Sequence, residues 1–104
     1  GDLSFILSDL IQNAKLKDSI ILANIIQDNL VQRMKRDWGK QRDLGVKKAP
    51  FYVLVGSHIP GVLVEMYFVN NPSDEKNLAN ARFRESLAQG LLIGIKNYLS
   101  RTVK

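Results

Sequence analysis

Two short apolar runs limit the folds that are open to this chain. Phe51-Tyr52-Val53-Leu54-Val55 and Gly61-Val62-Leu63-Val64 each have the composition and length of a strand that is covered on both faces. The turn at residues 56–60 is too short for a helical crossover. The two strands therefore pair as a hairpin if they are neighbours, or they lie in a larger sheet if they are parallel. Two strands alone make a poor sheet, so the sequence predicts that the missing strands come from another segment or another chain.

Glu65 follows the second run directly and lies between Val64 and Met66. A buried, ionised carboxylate is costly unless it is paired, hydrogen-bonded or bound to a metal. One interpretation is an edge strand with Glu65 facing water. The other is a catalytic or metal-site carboxylate at the carboxyl end of a strand, where open α/β sheets place their ligands. The pattern alone leaves both open.

Apolar residues at helical spacing predict helices on either side of the two strands. The predicted helices cover residues 2–13, 18–36, 72–79 and 81–100, with a connection at residues 14–17. Gly39 is a suitable stop for the second helix. Asn71 is placed to cap the third helix, and Pro72 takes its first position.

Gly90 and Gly94 lie four residues apart on one side of the last predicted helix. Glycine destabilises a helix interior, and this cost is usually offset where the backbone must come close to another element. The pair predicts that the last helix packs closely against a sheet.

Composition excludes several kinds of site. The 104 residues suffice for one small domain, and they include no cysteine and a single histidine, His58. Neither a thiolate metal site nor a self-contained histidine-rich zinc site can be built from these residues. No apolar run approaches the length of a membrane span. Gly1 is interpreted as a cloning scar or a cut site, which suggests a piece of a longer protein.

The net charge of +5 arises largely from basic residues between positions 33 and 48. These residues are Arg33, Lys35, Arg36, Lys40, Arg42, Lys47 and Lys48. The simplest interpretation is a solvated helix end and loop; attraction to an anionic polymer or surface is the alternative. A nucleic-acid surface is disfavoured, because only Trp38 interleaves with the basic residues and no recognition motif is present.

Three motifs together resemble the zinc-dependent N-acetylmuramoyl-L-alanine amidases, a family that cuts peptidoglycan. They are Arg42-Asp43-Leu44-Gly45-Val46-Lys47-Lys48-Ala49-Pro50-Phe51-Tyr52-Val53-Leu54, Ile59-Pro60-Gly61-Val62-Leu63-Val64-Glu65 and Phe68-Val69-Asn70-Asn71-Pro72. The helical ends are similar to the cell-division branch of that family, in which an inserted blocking helix precedes the segment like residues 2–10. The resemblance covers nearly all of residues 1–104, which it identifies as the C-terminal portion of a single amidase catalytic domain.

The resemblance implies an α/β fold, with a mixed sheet that has helices on both faces and is incomplete in this chain. It implies that Glu65 is the catalytic glutamate beside a zinc ion, with no metal ligand and no other cofactor-binding residue in this chain. The family's ligands, two histidines and a glutamate, belong to its N-terminal half. His58 falls on no ligand motif and is expected to be a loop residue near the strand ends.

The implied reaction is cleavage of the amide bond between N-acetylmuramic acid and L-alanine during cell-wall remodelling and daughter-cell separation. The expected location is the periplasm or the cell exterior, and an activator protein of the division machinery is an expected partner. We expect the isolated chain to be inactive, to bind no zinc, and to self-associate through open sheet edges.

Met66 and Tyr67 depart from the family pattern, which usually has small residues there, often Thr followed by Gly or Ala. Asn70 also stands where the family often has Ser. Bulkier groups beside the carboxylate would narrow the substrate cleft. They leave open a second interpretation, a degenerate amidase-like module that binds peptidoglycan or a partner protein without hydrolysis.

Overall fold

The computed structural model describes residues 2–47, 59–67 and 71–102. Three helices account for most of them: α1 (Asp2–Trp38), α2 (Pro72–Ala79) and α3 (Ala81–Thr102). The remaining described residues are two irregular segments, at 39–47 and 59–67, and the short connections around α2.

Helix α1 is a single helix of 37 residues, so the predicted break at residues 14–17 is wrong. That stretch, Ala14-Lys15-Leu16-Lys17, contains neither glycine nor proline, and all of its residues favour helices. The predicted end is confirmed: Gly39 has a positive φ of 83°, and its N–H donates to the carbonyl of Lys35 at 3.0 Å. This is the left-handed helix end for which glycine is suited.

Helices α2 and α3 follow the sequence prediction closely. The Asn71 side chain accepts hydrogen bonds from the backbone N–H groups of Ser73 (3.0 Å) and Asp74 (3.2 Å), and Pro72 begins the helix. Asn80 separates α2 from α3, and its side-chain oxygen accepts from the N–H of Arg82 at 2.9 Å. An asparagine therefore satisfies orphan N–H groups at the start of each helix.

The core is the contact between α1 and α3, which run antiparallel. Its buried apolar side chains are Ile26, Leu30, Met34, Phe83 and Leu87. Phe83 is the most enclosed, at 1% exposure. Leu22, Val62, Val64, Tyr67, Leu78 and Leu91 pack around this cluster. The second irregular segment thus contributes to a core that two helices build.

Gly90 and Gly94 lie where α3 crosses α1, so their predicted partner, a sheet, is wrong. A Cβ atom on Gly94 would lie 2.9 Å from the Cα of Ile26, and one on Gly90 would lie 3.1 Å from the Cα of Leu30. The predicted close approach itself is present, and it is made to a helix backbone.

The expected α/β fold is contradicted, because none of the described residues forms a strand. The second apolar run is irregular throughout residues 59–67, and the first, at residues 51–55, lies outside the described residues. A strand needs a neighbour to satisfy its backbone groups, and fewer than three strands seldom form a stable sheet. The apolar side chains of the second run instead pack on the helix pair. Self-association through open sheet edges stays a prediction, and the described residues form no strand that tests it.

Replacing Gly94 with Ala is expected to lower the free energy of unfolding. Alanine favours the helix by about 1 kcal/mol, but the new Cβ atom meets backbone that cannot rotate away, and overpacking costs about 1–3 kcal/mol. Urea denaturation followed by circular dichroism measures the balance. The reverse change Ala88→Gly, at an exposed position of α3, supplies the intrinsic cost of glycine in this helix. A stabilised Gly94→Ala variant would contradict the close packing.

Candidate active site

The Glu65 segment, residues 59–67, lies across the helix pair. The N–H of Gly61 donates to the Ser19 hydroxyl on α1 at 3.0 Å. Further along, Val62 and Val64 are half-buried against the core, whereas Leu63 is 47% exposed. The apolar run therefore keeps the alternation of an extended chain, with one face on the helices and one face toward water.

Glu65 belongs to the outward face. It is exposed, as is Met66 at 41%, and the next inward residue is Tyr67. The energetic difficulty of a buried carboxylate therefore does not arise, because water solvates the group. In the described part of the chain, Glu65 and Met66 together project between two inward residues, Val64 and Tyr67. The catalytic role of Glu65 stays a prediction.

Tyr67 holds the end of the Glu65 segment against the helices. Its hydroxyl donates to Oε1 of Gln41 at 2.6 Å, and its ring lies 5.2 Å from the ring of Phe83, tilted by 58°. Burial raises the pKa of the Tyr67 hydroxyl, with a smaller contribution from the charge of Asp74. The hydroxyl therefore keeps its proton at neutral pH and donates the hydrogen bond to Gln41. Tyr67 also has a positive φ of 65°, a conformation that is strained for a large side chain.

Trp38 makes the matching contact from the end of α1. Its ring stands edge-on to Phe83, at a centroid distance of 5.2 Å and an angle of 62°. Its indole N–H donates to the hydroxyl of Ser86 at 3.0 Å, and Ser86 donates in turn to Asp37 Oδ2 at 2.8 Å. Ser86 is only 7% exposed, so this pair of hydrogen bonds satisfies a buried hydroxyl.

Sequence reasoning missed this network, since it placed Trp38 in a loop and gave Ser86 no role. A signal was present: Ser86 lies one helical turn after Phe83 and directly before Leu87. A serine on the buried stripe of a helix needs a hydrogen-bond partner.

Asp37 connects the network to the basic residues that follow it. Its carboxylate accepts from Arg33 Nε at 2.7 Å and from Arg36 Nε at 3.1 Å. The hydrogen bonds from Arg33, Ser86 and Arg36 hold the pKa of the Asp37 carboxyl at about 2, below its ordinary value. Two of the basic residues are thus committed within the chain, while Lys35, Lys40, Arg42 and Lys47 are exposed.

A shallow apolar cleft of about 190 Å³ opens beside Met66, on the side of α2 and α3. The residues that line it are Met66, Leu78, Arg84, Leu87, Ala88 and Leu91. Arg84 is fixed there by a 2.7 Å hydrogen bond to the carbonyl of Leu78. The cleft adjoins Met66, the residue that follows Glu65, and Glu65 itself does not line it.

The described residues do not supply a zinc site. Among them, no group of three or more His, Asp or Glu side chains lies close enough together to hold a metal ion. His58 and Asn70 lie outside the described residues. The same part of the chain has no helix with the length and hydropathy of a membrane span.

Comparison with known proteins identifies the family. The model of the N-acetylmuramoyl-L-alanine amidase family matches residues 6–97, most of the chain. The chain belongs to this family. The family resemblance seen in its motifs is thereby confirmed.

Several curated relatives are named N-acetylmuramoyl-L-alanine amidase. N-acetylmuramoyl-L-alanine amidase AmiC of Neisseria meningitidis is 33% identical over 97 residues, which are 93% of this chain and 22% of that protein. AmiA of Escherichia coli is 31% identical over 93 residues, 89% of this chain and 30% of that protein. An uncharacterised Bacillus subtilis protein, YqiI, is 36% identical over 77 residues, 74% of this chain and 35% of that protein.

The chain spans between 15% and 35% of the length of the first four curated relatives that it matches. The names AmiA and AmiC fit the cell-division branch of the amidase family. No solved structure matches the chain significantly.

The Asp37 network predicts a loss of stability in acid. Because the pKa of Asp37 is lower in the folded chain than in the unfolded chain, its contribution is complete above the unfolded value of about 3.9. That contribution disappears as the pH falls toward about 2. Thermal melts between pH 5 and pH 2 should show a steeper fall for the native chain than for Asp37→Asn, and the two should converge at the acid end.

The control for this comparison is Asp28→Asn, which removes an exposed carboxylate from α1. It should leave the acid dependence of the native chain in place. Parallel curves for the native chain and Asp37→Asn would contradict the assignment.

Proposed function

We propose that these residues are the C-terminal portion of an amidase catalytic domain, and that Glu65 moves the proton in its reaction. The substrate is peptidoglycan, and the bond is the amide between the lactyl group of N-acetylmuramic acid and L-alanine. Support comes from family membership over residues 6–97 and from the exposed position of Glu65 on a segment that both helices hold.

The chemistry requires a base and an acid in one place. As water attacks the amide carbonyl carbon, Glu65 accepts a proton from that water and a C–O bond forms. When the C–N bond breaks, the same carboxyl group gives the proton to the departing amine of L-alanine. Because Glu65 accepts one proton and gives one away, its carboxylate is regenerated at the end of each cycle. The exposed carboxylate of Glu65 suits this role, because an entering substrate can reach it.

Zinc belongs to the proposal only through the rest of the domain. The family is generally zinc-dependent, and the described residues contain no set of ligands for it. We propose that the ligands belong to the N-terminal half of the domain, as the family resemblance implies. The proposal includes the inactivity of the isolated 104-residue chain, since Glu65 would lack the group that it works beside.

The cell wall is the proposed place of action, in the periplasm or outside the cell. One relative in Bacillus anthracis is named an uncharacterised cell wall amidase, and it is 37% identical over 86 residues. An activator protein of the division machinery remains part of the proposal through the likeness to AmiA and AmiC.

Glu65→Gln in the full-length gene product tests the role of the carboxylate. The amide of glutamine cannot accept the proton, so the release of peptides from purified sacculi should fall by on the order of 10²- to 10⁴-fold. Zinc content and binding to sacculi should stay unchanged. Glu85→Gln, an exposed position on α3, is the matched control and should keep full activity.

Retained hydrolysis by Glu65→Gln, with normal zinc content, would refute the role of Glu65. The alternative of a binding module predicts a different pattern: the native protein sediments with sacculi and releases no peptide, with or without zinc. Exposed bulky side chains at Leu63 and Met66 favour that alternative, because they suit a surface that holds a ligand.

A further inference from the structure

We propose that Tyr67 is a positioning residue for Glu65, acting through its hydrogen bond to Gln41 and its ring contact with Phe83. The inference rests on the proposed function of Glu65. It concerns a position where this chain has a large side chain and the family usually has a small one.

Glu65 and Met66 are consecutive outward residues between two inward ones. Val64 packs against the core before them, and Tyr67 packs against Phe83 after them. Adjacent Cα atoms are about 3.8 Å apart. Glu65 is therefore one residue along the chain from Val64 and two residues from Tyr67, and both of these are held by the core. A short exposed stretch that is held at both ends has little freedom to move. The orientation of the carboxylate therefore depends on Tyr67.

The acceptor of the Tyr67 hydroxyl is itself held in place. Gln41 Nε2 donates to the carbonyl of Gly39 at 3.1 Å, which turns its Oε1 toward Tyr67. The irregular segment at residues 39–47, which contains Gln41, also contacts α1 through Asp43. Asp43 Oδ1 accepts hydrogen bonds from Gln27 at 2.7 Å and from the N–H of Gly45 at 2.9 Å. Gln41 thus connects the Glu65 segment to the end of α1.

Phe83 supplies the second half of the contact. It is 1% exposed, and it touches Tyr67 on one side and Trp38 on the other, each at a ring distance of 5.2 Å. Trp38 is fixed in turn by Ser86 at 3.0 Å. The ring of Tyr67 therefore rests on a part of the core where both helices meet, and the strained positive φ of Tyr67 is maintained by these contacts.

The test compares variants of the full-length protein in steady-state hydrolysis of soluble peptidoglycan fragments. Tyr67→Phe keeps the ring and removes the hydroxyl, and Gln41→Leu removes the acceptor. Each should lower kcat by about tenfold with KM unchanged, since misplacing a reacting group by about 1 Å can cost 10²-fold. Combining the two should cost no more than either alone. Gln41→Glu loses the donor to Gly39 but offers an acceptor oxygen in either orientation of its carboxylate, so it should restore kcat to within about twofold of the native value.

Tyr98→Phe is the matched control. It makes the same chemical change on α3, about four helical turns beyond Phe83, and should leave kcat unchanged. Native-like melting of Tyr67→Phe excludes a general loss of structure; if that variant fails to fold, the comparison of Gln41→Leu with Gln41→Glu decides the question.

An unchanged kcat in Tyr67→Phe and Gln41→Leu, or equal losses in Gln41→Leu and Gln41→Glu, would overturn the inference. If Glu65→Gln loses activity while both of these variants keep it, the proposed function stands and the positioning role fails. If Glu65→Gln itself stays active, the proposed function fails, and the inference fails with it.

Discussion

The described structure depends on one aromatic side chain. Phe83 is almost fully enclosed, and it is the point at which the end of α1, the start of α3 and the end of the Glu65 segment meet. Edge-on and tilted ring pairs of this kind add to the stability that burial alone gives. The polar atoms of its two neighbours are both satisfied, Trp38 by Ser86 and Tyr67 by Gln41. Hydrophobic contact and hydrogen bonding therefore fix the same three pieces of chain.

This arrangement supports the candidate carboxylate differently from what the family resemblance implied. The resemblance implied a strand within a sheet as the platform for Glu65. In the described residues the platform is a pair of antiparallel helices, and the segment lies on them through Val62, Val64 and Tyr67. From Val62 to Glu65 the inward and outward side chains alternate as in a strand, and the alternation ends at Met66, which is exposed like Glu65. The outward position of Glu65 thus follows from the pattern of the run before it, whichever element lies beneath it.

The helix ends were predicted correctly where a local signal marks them. The predicted strands had no such local signal, and none of the described residues forms a strand. Asn71 and Pro72 define the start of α2 through hydrogen bonds to the next turn, and Gly39 ends α1 through its own φ, so each boundary was readable. The continuity of α1 through Ala14 and Lys17 was missed, although every residue of that stretch favours a helix. A strand cannot be predicted from its own residues in the same way, because its hydrogen-bond partners lie elsewhere.

The candidate site shows the same division. Glu65 was found because a carboxylate stands out within an apolar run, and the family pattern gave it a meaning. The contacts of Tyr67 with Gln41 and Phe83 join residues 26 and 16 positions apart. No periodicity in a single sequence connects such positions, and only the packing of the helices brings them together.

The two glycines of α3 determine the alignment of the helix pair. Where Gly90 and Gly94 face Leu30 and Ile26, the two backbones are nearly in contact. Rotating α3, or sliding it by one residue, would bring a side chain into that space. The two glycines therefore fix the register between the helices. Trp38 and Phe83 lie two to three helical turns from this glycine contact. The absence of a side chain at Gly90 and Gly94 thus determines that Trp38 and Phe83 meet at the other end of the helix pair, beneath Glu65.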